Sequence, residues 1–256
     1  MLSHIFHVKN YNKKLVRSDK ITEDPSHIKT YRKFLDYIHF ASKEKVTIIC
    51  EGKTDNIYIK CALNALKSSY PNLHSTSKPI NTRFNFFKYT KTTNVVQRLN
   101  GGTGDISGLI YDYDNRIKEL RGAILSNPLI IIVDNDQGSK AVFAAISKKT
   151  GAQITGKEIY YHVTKNIYVI PTPLPPGSSS SMIEDMFDKK VLAEKLNGKT
   201  FNPDDKTLDT KKNYSKALFA EHVVKKNASS IDFSGFKPII DSIDEIINKY
   251  NPINLN

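Results

Sequence analysis

The sequence predicts an α/β protein, a parallel sheet flanked by helices, with a helical appendage before it and a helical tail after it. Three observations carry that expectation. Short β-branched runs such as Val46–Cys50 and Leu129–Val133 show no polar alternation, which is the pattern of strands buried on both faces. Each such run ends in a tight, acidic or glycine-containing turn. Amphipathic stretches at helical spacing separate the runs, and strands alternating with helices build a parallel, three-layer core.

In order along the chain, residues 1–45 read as an N-terminal helical appendage or linker. Met1 to Val16 mixes His, Lys, Asn and apolar positions, and Ser18 to Pro25 is polar. Tyr31, Phe34, Leu35 and Ile38 recur at helical spacing, which predicts one helix over 26–41. A core spans 46–187. Its first strand, Val46–Cys50, ends in Glu51-Gly52. Thr54 stands at an N-cap position before a helix carrying Ile57, Ile59, Cys61, Ala62, Leu63, Ala65 and Leu66, closed by Tyr70-Pro71. A second strand is expected over 84–89. The glycine-rich stretch from Gly101 to Asp105 then leads into a helix read through 106–125, and Pro128 breaks the chain. Leu129–Val133 is the strongest strand and runs into Asp134-Asn135-Asp136-Gln137-Gly138, followed by a helix over 140–148 and a fourth strand over 166–170. Residues 171–181, rich in Pro, Gly and Ser, read as a loop and 182–196 as helical. Residues 188–256 form a C-terminal helical extension: 197–212 is polar and turn-forming, while 214–226 and 239–250 are amphipathic.

Composition bounds the function. The chain has 256 residues, 38 Lys+Arg against 26 Asp+Glu and a formal charge of +12, so its surface attracts polyanions: DNA, RNA or anionic lipid. The excess is spread along the chain, favouring a groove or broad face over a basic arm, or else a lysine-rich soluble surface. The longest apolar run falls far short of the roughly 20 residues of a membrane span, and the N-terminus has no apolar signal core, so a cytoplasmic protein with no membrane partner is expected. Two cysteines, Cys50 and Cys61, form no CxxC pair, and any metal must sit on oxygen.

Glu51 ends the first core strand, and Asp134 and Asp136 end the strongest one. In open parallel sheets ligands gather at the carboxyl ends of strands, and side chains two apart on an extended segment face one way. Asp134 and Asp136 can therefore share a divalent ion, with Glu51 opposite as ligand or general base. Carboxylate oxygens without thiolate or paired histidine suit Mg²⁺ or Mn²⁺. The competing reading makes Glu51-Gly52 a simple turn and Asp134-x-Asp136 a helix cap or surface turn. Gly101-Gly102-Thr103-Gly104-Asp105 lacks the Gly-Lys-Ser/Thr ending of a phosphate loop and reads as a loop glycine cluster near the acidic site. His4 and His7 share a helical face without a third ligand. Phe84, Phe86 and Phe87 fit a core, whereas Lys88, Lys91 and Arg98 are candidates for phosphate contacts or a solvated face.

These residues resemble the Toprim domain, the metal-dependent catalytic module of topoisomerases, primases and overcoming-lysogenization-defect nucleases. The stretches that carry the resemblance are Ile48-Ile49-Cys50-Glu51-Gly52-Lys53-Thr54-Asp55 and Ile132-Val133-Asp134-Asn135-Asp136-Gln137-Gly138. The resemblance implies a Rossmann-like sheet and places the family's glutamate on Glu51 and its Asp-x-Asp on Asp134 and Asp136. The further acidic residue of nuclease-type members falls on Glu184, within Ile183-Glu184-Asp185-Met186-Phe187, and an assisting lysine on Lys216, with Lys211 and Lys212 nearby. Metal ligands would be Glu51, Asp134, Asp136 and Glu184. A longer resemblance adds Met1-Leu2-Ser3-His4-Ile5, Tyr31-Arg32-Lys33-Phe34-Leu35 and the 101–105 glycines, and looks like the C-terminal Toprim extension of retron reverse transcriptases. It implies a Mg²⁺-dependent (or Mn²⁺-dependent) nuclease in antiphage defence, acting on nucleic acid, DNA foremost, beside a reverse transcriptase and its RNA–DNA product. The Tyr-x-Asp-Asp of a polymerase centre is absent, since Tyr111-Asp112-Tyr113-Asp114 does not fit it. A fragment, a separate effector and an isolated domain all stay open. So does a non-catalytic nucleic-acid or polymerase-binding module with a vestigial acidic site.

Overall fold

The structure, a computed structural model, describes residues 24–41, 45–73, 83–204 and 206–255. The expectations placed on 1–23, including the Met1–Ile5 part of the resemblance and the His4/His7 pair, lie outside these residues. In chain order the elements are helix Ser26–Asp36 (α1), strand Val46–Cys50 (β1), helix Asp55–Ala65 (α2), strand Phe84–Phe86 (β2), helix Thr103–Lys118 (α3), strands Ile124–Leu125 (β3) and Leu129–Val133 (β4), and helix Lys140–Thr150 (α4). Strands Tyr161–Thr164 (β5) and Ile167–Pro171 (β6), helix Lys189–Leu192 (α5), strands Thr200–Phe201 (β7) and Asn213–Tyr214 (β8), helices Lys216–Leu218 (α6) and Lys237–Lys249 (α7), and strand Ile253–Asn254 (β9) complete them.

The main sheet has the order β2-β1-β4-β6-β5. β1, β2, β4 and β6 are parallel, and β5 closes one edge antiparallel to β6. Every residue of β1 and β4 is buried, which explains their unbroken apolar sequence: both faces are covered. Successive side chains point to opposite faces, so Ile48 and Cys50 join one core and Ile49 the other. The first core holds Tyr58 and Ile59 of α2, Phe187, Phe219 and Val223, and Ile239, Ile240 and Ile243 of α7. The second holds Ile106, Ile110 and Tyr113 of α3 with Val142 and Ile146 of α4. Residues beyond 213 thus supply much of one covering layer. α1 is tied to the second layer through buried Asp36, which accepts from Arg116 Nε at 2.8 Å and Gln97 Nε2 at 2.9 Å.

Several local expectations need correction. The helix expected to reach 125 stops at Lys118: Gly122 turns the chain at a φ of +78°, its N–H donates to Leu255 O at 2.6 Å, and Ile124 and Leu125 pair antiparallel with β9. Residues 182–196 are not one helix. Phe187 is extended (φ −86°, ψ 148°), and Asp188 restarts the chain as an N-cap, accepting from Lys190 N–H at 2.7 Å. Thr54 does hold the N-cap position of α2, with helical backbone angles and no side-chain capping hydrogen bond; Asp55 Oδ2 takes the Gly52 N–H at 2.7 Å. β5 was not expected. Its burial alternates, as suits an edge strand. Among the described residues no helix is long and apolar enough to cross a membrane.

Candidate functional site

Parallel registry sets the first two acids side by side. Cys50 pairs with Ile132, the Glu51 N–H continues the ladder to Ile132 O at 3.0 Å, and the Asp134 N–H donates to Glu51 Oε2 at 3.3 Å. Both residues therefore leave the sheet at its carboxyl edge, where ligands of such sheets gather. The glycine cluster rests on the same spot. Gly102 N–H donates to Glu51 O at 3.0 Å, and Gly101 sits at a φ of +106°, where an added Cβ would lie 3.2 Å from Glu51 O. Only a glycine allows that approach without strain. Tyr89 Oη donates to Cys50 O at 2.6 Å, fixing the strand end from a third side.

The chain returns to this edge after β6. Asn135 and Ser181 exchange backbone hydrogen bonds at 2.8 and 2.9 Å, which brings the next turn in so that Ile183 N–H donates to Asp134 Oδ1 at 2.8 Å. Glu184, only 2% exposed, follows directly. Its carboxylate meets Lys216 at the start of α6, with Nζ 3.1 Å from each oxygen. Only the contact to Oε2 has hydrogen-bond geometry, and Oε1 is left buried without a hydrogen-bond partner. The Tyr58 hydroxyl, buried beneath the site, is likewise unpartnered. Of the three neighbouring lysines, Lys216 is the one that faces the acids, while Lys212 pairs loosely with Asp209 at 3.9 Å on the surface.

Burial and mutual repulsion dominate the electrostatics. Asp134 is pushed up to about 8 by burial, then by the carboxylates of Asp55, Glu51 and Glu184. Glu51, Asp55 and Glu184 are each raised by burial first; Asp55 and Asp136 add to the rise at Glu51, and Asp55 adds to that at Glu184. Burial works to lower Lys216, but Glu184, Asp134 and Asp55 outweigh it and raise the ammonium. Four carboxylates and one ammonium thus influence each other at one strand edge.

Asp55 is the residue the sequence reading passed over. It is the first residue of α2, four residues after Glu51, and its buried carboxylate influences Glu51, Asp134, Glu184 and Lys216. The signal was its place inside the Glu51–Asp55 stretch, four residues from the glutamate. Asp136 behaves differently: its Oδ1 accepts from Gly138 N–H at 2.8 Å and Ser139 N–H at 3.2 Å, capping the turn before α4. It is placed as a cap, the role the competing reading gave it, although its charge still reaches Glu51. Lys53 and Lys88 are exposed on the loops that follow β1 and β2 at this edge, and Lys91 is exposed at the start of the short helical segment beyond β2. Arg98 donates to Asp24 at 3.1 Å.

In kind, the donors suit a hard divalent cation: carboxylate oxygens, one of them lacking a hydrogen bond, whose repulsion a cation would relieve. In arrangement they are not gathered, because among the described residues no three His, Cys, Asp or Glu side chains stand together in a metal-holding group. No protein-family model matches this chain, and no solved structure matches it.

Proposed function

We propose that the chain is a Mg²⁺- or Mn²⁺-dependent nuclease of Toprim type that cleaves phosphodiester bonds, DNA foremost. The observation that carries the proposal is that Glu51, Asp55, Asp134, Glu184 and Lys216 lie within electrostatic reach of one another at the carboxyl edge of a parallel sheet, where Asp134 is pushed up to about 8. The chemistry a divalent ion supplies at such a site is polarisation of the scissile phosphate and a lowered pKa for bound water. Glu51, raised by burial, suits proton acceptance nearer neutrality than an exposed carboxylate. Lys216 holds Glu184 in place and presents a positive charge to a phosphate oxygen. Lys53, Lys88 and Lys91 on the same edge would hold the strand, and the +12 charge makes that grip salt-sensitive. The resemblance to retron-linked Toprim extensions supports placing this activity in the cytoplasm beside a reverse transcriptase and its RNA–DNA product, as the effector of an antiphage system.

A second reading, a non-catalytic nucleic-acid or polymerase-binding module, is favoured by the capping role of Asp136 and the ungathered carboxylates. The two separate on one assay: purified chain with single- and double-stranded DNA and RNA, in Mg²⁺, Mn²⁺ or EDTA, beside Glu51→Ala and Asp134→Ala. The nuclease reading expects metal-dependent products that both substitutions abolish. Binding without cleavage under every condition, or equal cleavage by the variants, would select the second reading.

A further inference from the structure

At the opposite edge of the sheet lies a cavity of about 660 Å³ lined by Asp114, Ile117, Lys118, Arg121, Lys165, Asn254 and Leu255. It is remote from the acidic site: α3 begins beside the Gly101-Gly102 turn and ends at Lys118, and its 16 residues span about 24 Å. Three cations line it. Among the described residues none of the three forms a close ion pair; Lys165 and Arg121 act on Asp114 and Glu119 only through their charges, and both acids have nearer partners. Asp114 is held by Lys149 at 2.6 Å and by the Thr164 hydroxyl at 2.7 Å, and Glu119 is paired with Lys33. The carbonyl end of α3 offsets roughly half a charge, and with Asp114 counted the described lining still carries a net positive charge.

Two of the cations stand on pinned turns, and Lys118 is the last residue of α3. Lys165 occupies a φ of +47°, a conformation that favours glycine or asparagine over lysine. The turn is locked by the next residue, Asn166, which is fully buried, accepts from Tyr113 Oη at 2.6 Å and donates to the carbonyls of Phe40 and Asn127 at 3.1 and 2.9 Å. The Arg121 turn is tied to the other wall, since Gly122 N–H donates to Leu255 O at 2.6 Å and Leu255 N–H to Ala123 O at 2.9 Å. Ile117 and Leu255 give the cavity an apolar wall, and the exposed Asn254 gives it an amide. Cavities that hold small ligands fall in this size range, mostly apolar with a few placed polar groups.

We propose that this cavity binds a phosphorylated small ligand of mononucleotide size, with its phosphates on Lys118, Arg121 and Lys165 and its remaining body against Ile117 and Leu255. The proposal is independent of the nuclease reading. It is tested by calorimetric titration of the full chain with ATP, ADP, inorganic pyrophosphate and adenosine in EDTA, which keeps divalent ions from the acidic edge. Saturable binding of the phosphorylated probes, at least tenfold weaker for adenosine, is expected. Lys165→Gly, which keeps the positive φ and removes the ammonium, should weaken ATP binding about tenfold while leaving the melting temperature unchanged or higher; Arg121→Ala should weaken it comparably. No saturable binding of any phosphorylated probe, adenosine binding as well as ATP, or variants within twofold of wild type would overturn the proposal. So would an oligonucleotide whose binding these substitutions weaken while ATP does not bind, since the cavity would then be a nucleic-acid contact.

Discussion

Lys216 Nζ lies 3.1 Å from the Glu184 carboxylate, across 32 residues of sequence, with the glutamate side chain 2% exposed and the lysine side chain 27% exposed. A carboxylate buried that deeply beside Asp55 and Asp134 is sustained by its counter-ion. Removing one partner of a buried pair leaves an uncompensated charge, whereas removing both leaves none. Lys216→Met should therefore destabilise the fold by about 2–4 kcal/mol, and Glu184→Gln in the same chain should recover part of the loss. Urea denaturation of the two single variants and the double variant measures the coupling; additive losses would show that the pair is not coupled.

Asp134 makes stability depend on pH. An acid that holds its proton more tightly in the folded state contributes stability below its unfolded pKa, and that contribution is lost as pH rises through the folded value. Asp134 moves from 3.8 to about 8, so the melting temperature should fall between about pH 4 and about pH 8. Asp134→Asn keeps an oxygen for the Ile183 N–H and has nothing to ionise. It should melt higher than wild type at pH 8.5 and with a flatter profile; parallel profiles would contradict this account.

Two glycines three residues apart should respond oppositely to alanine. Gly101→Ala forces a Cβ to 3.2 Å from Glu51 O at a φ of +106° and should cost about 1–3 kcal/mol. Gly104 lies in the first turn of α3, where an added Cβ meets nothing within 4 Å, so Gly104→Ala should be neutral or stabilising by up to about 1 kcal/mol. Thermal melts of both variants make the comparison.

The Asp36–Arg116 pair should carry the docking of α1. Both side chains are at most 8% exposed, so Arg116→Leu should cost about 3–5 kcal/mol and the double variant Asp36→Leu/Arg116→Leu considerably less. Chemical denaturation checks both, and equal losses would contradict the pairing argument.

The sheet was legible because its strands carry a simple physical mark. β1 and β4 are buried on both faces, so nothing polar interrupts Val46–Cys50 or Leu129–Val133, and their acidic ends advertise themselves. β5 was not legible, since an edge strand of four residues whose burial alternates resembles a polar loop. The 182–196 stretch has helical spacing, yet Phe187 turns inward against Tyr58 and Phe219 and breaks it, a tertiary effect that periodicity does not contain. Glu51 and Asp134 could be placed from strand ends alone. Asp55 and the choice of Lys216 over Lys212 depend on how α2 and α6 pack, which spacing along the chain does not reveal. Asp136 showed the reverse: its type and position suited a ligand, and local backbone geometry made it a cap.

The proposed function requires that Glu51, Asp55, Asp134 and Glu184 act together as a cation-binding edge. Titrating the chain with Mn²⁺ and following the free ion by electron paramagnetic resonance tests it most directly. Saturable uptake at neutral pH is predicted, weakened at least tenfold by Asp134→Asn and by Asp55→Asn and unaffected by Lys165→Gly. No saturable uptake, or uptake that both carboxylate substitutions leave unchanged, would contradict it.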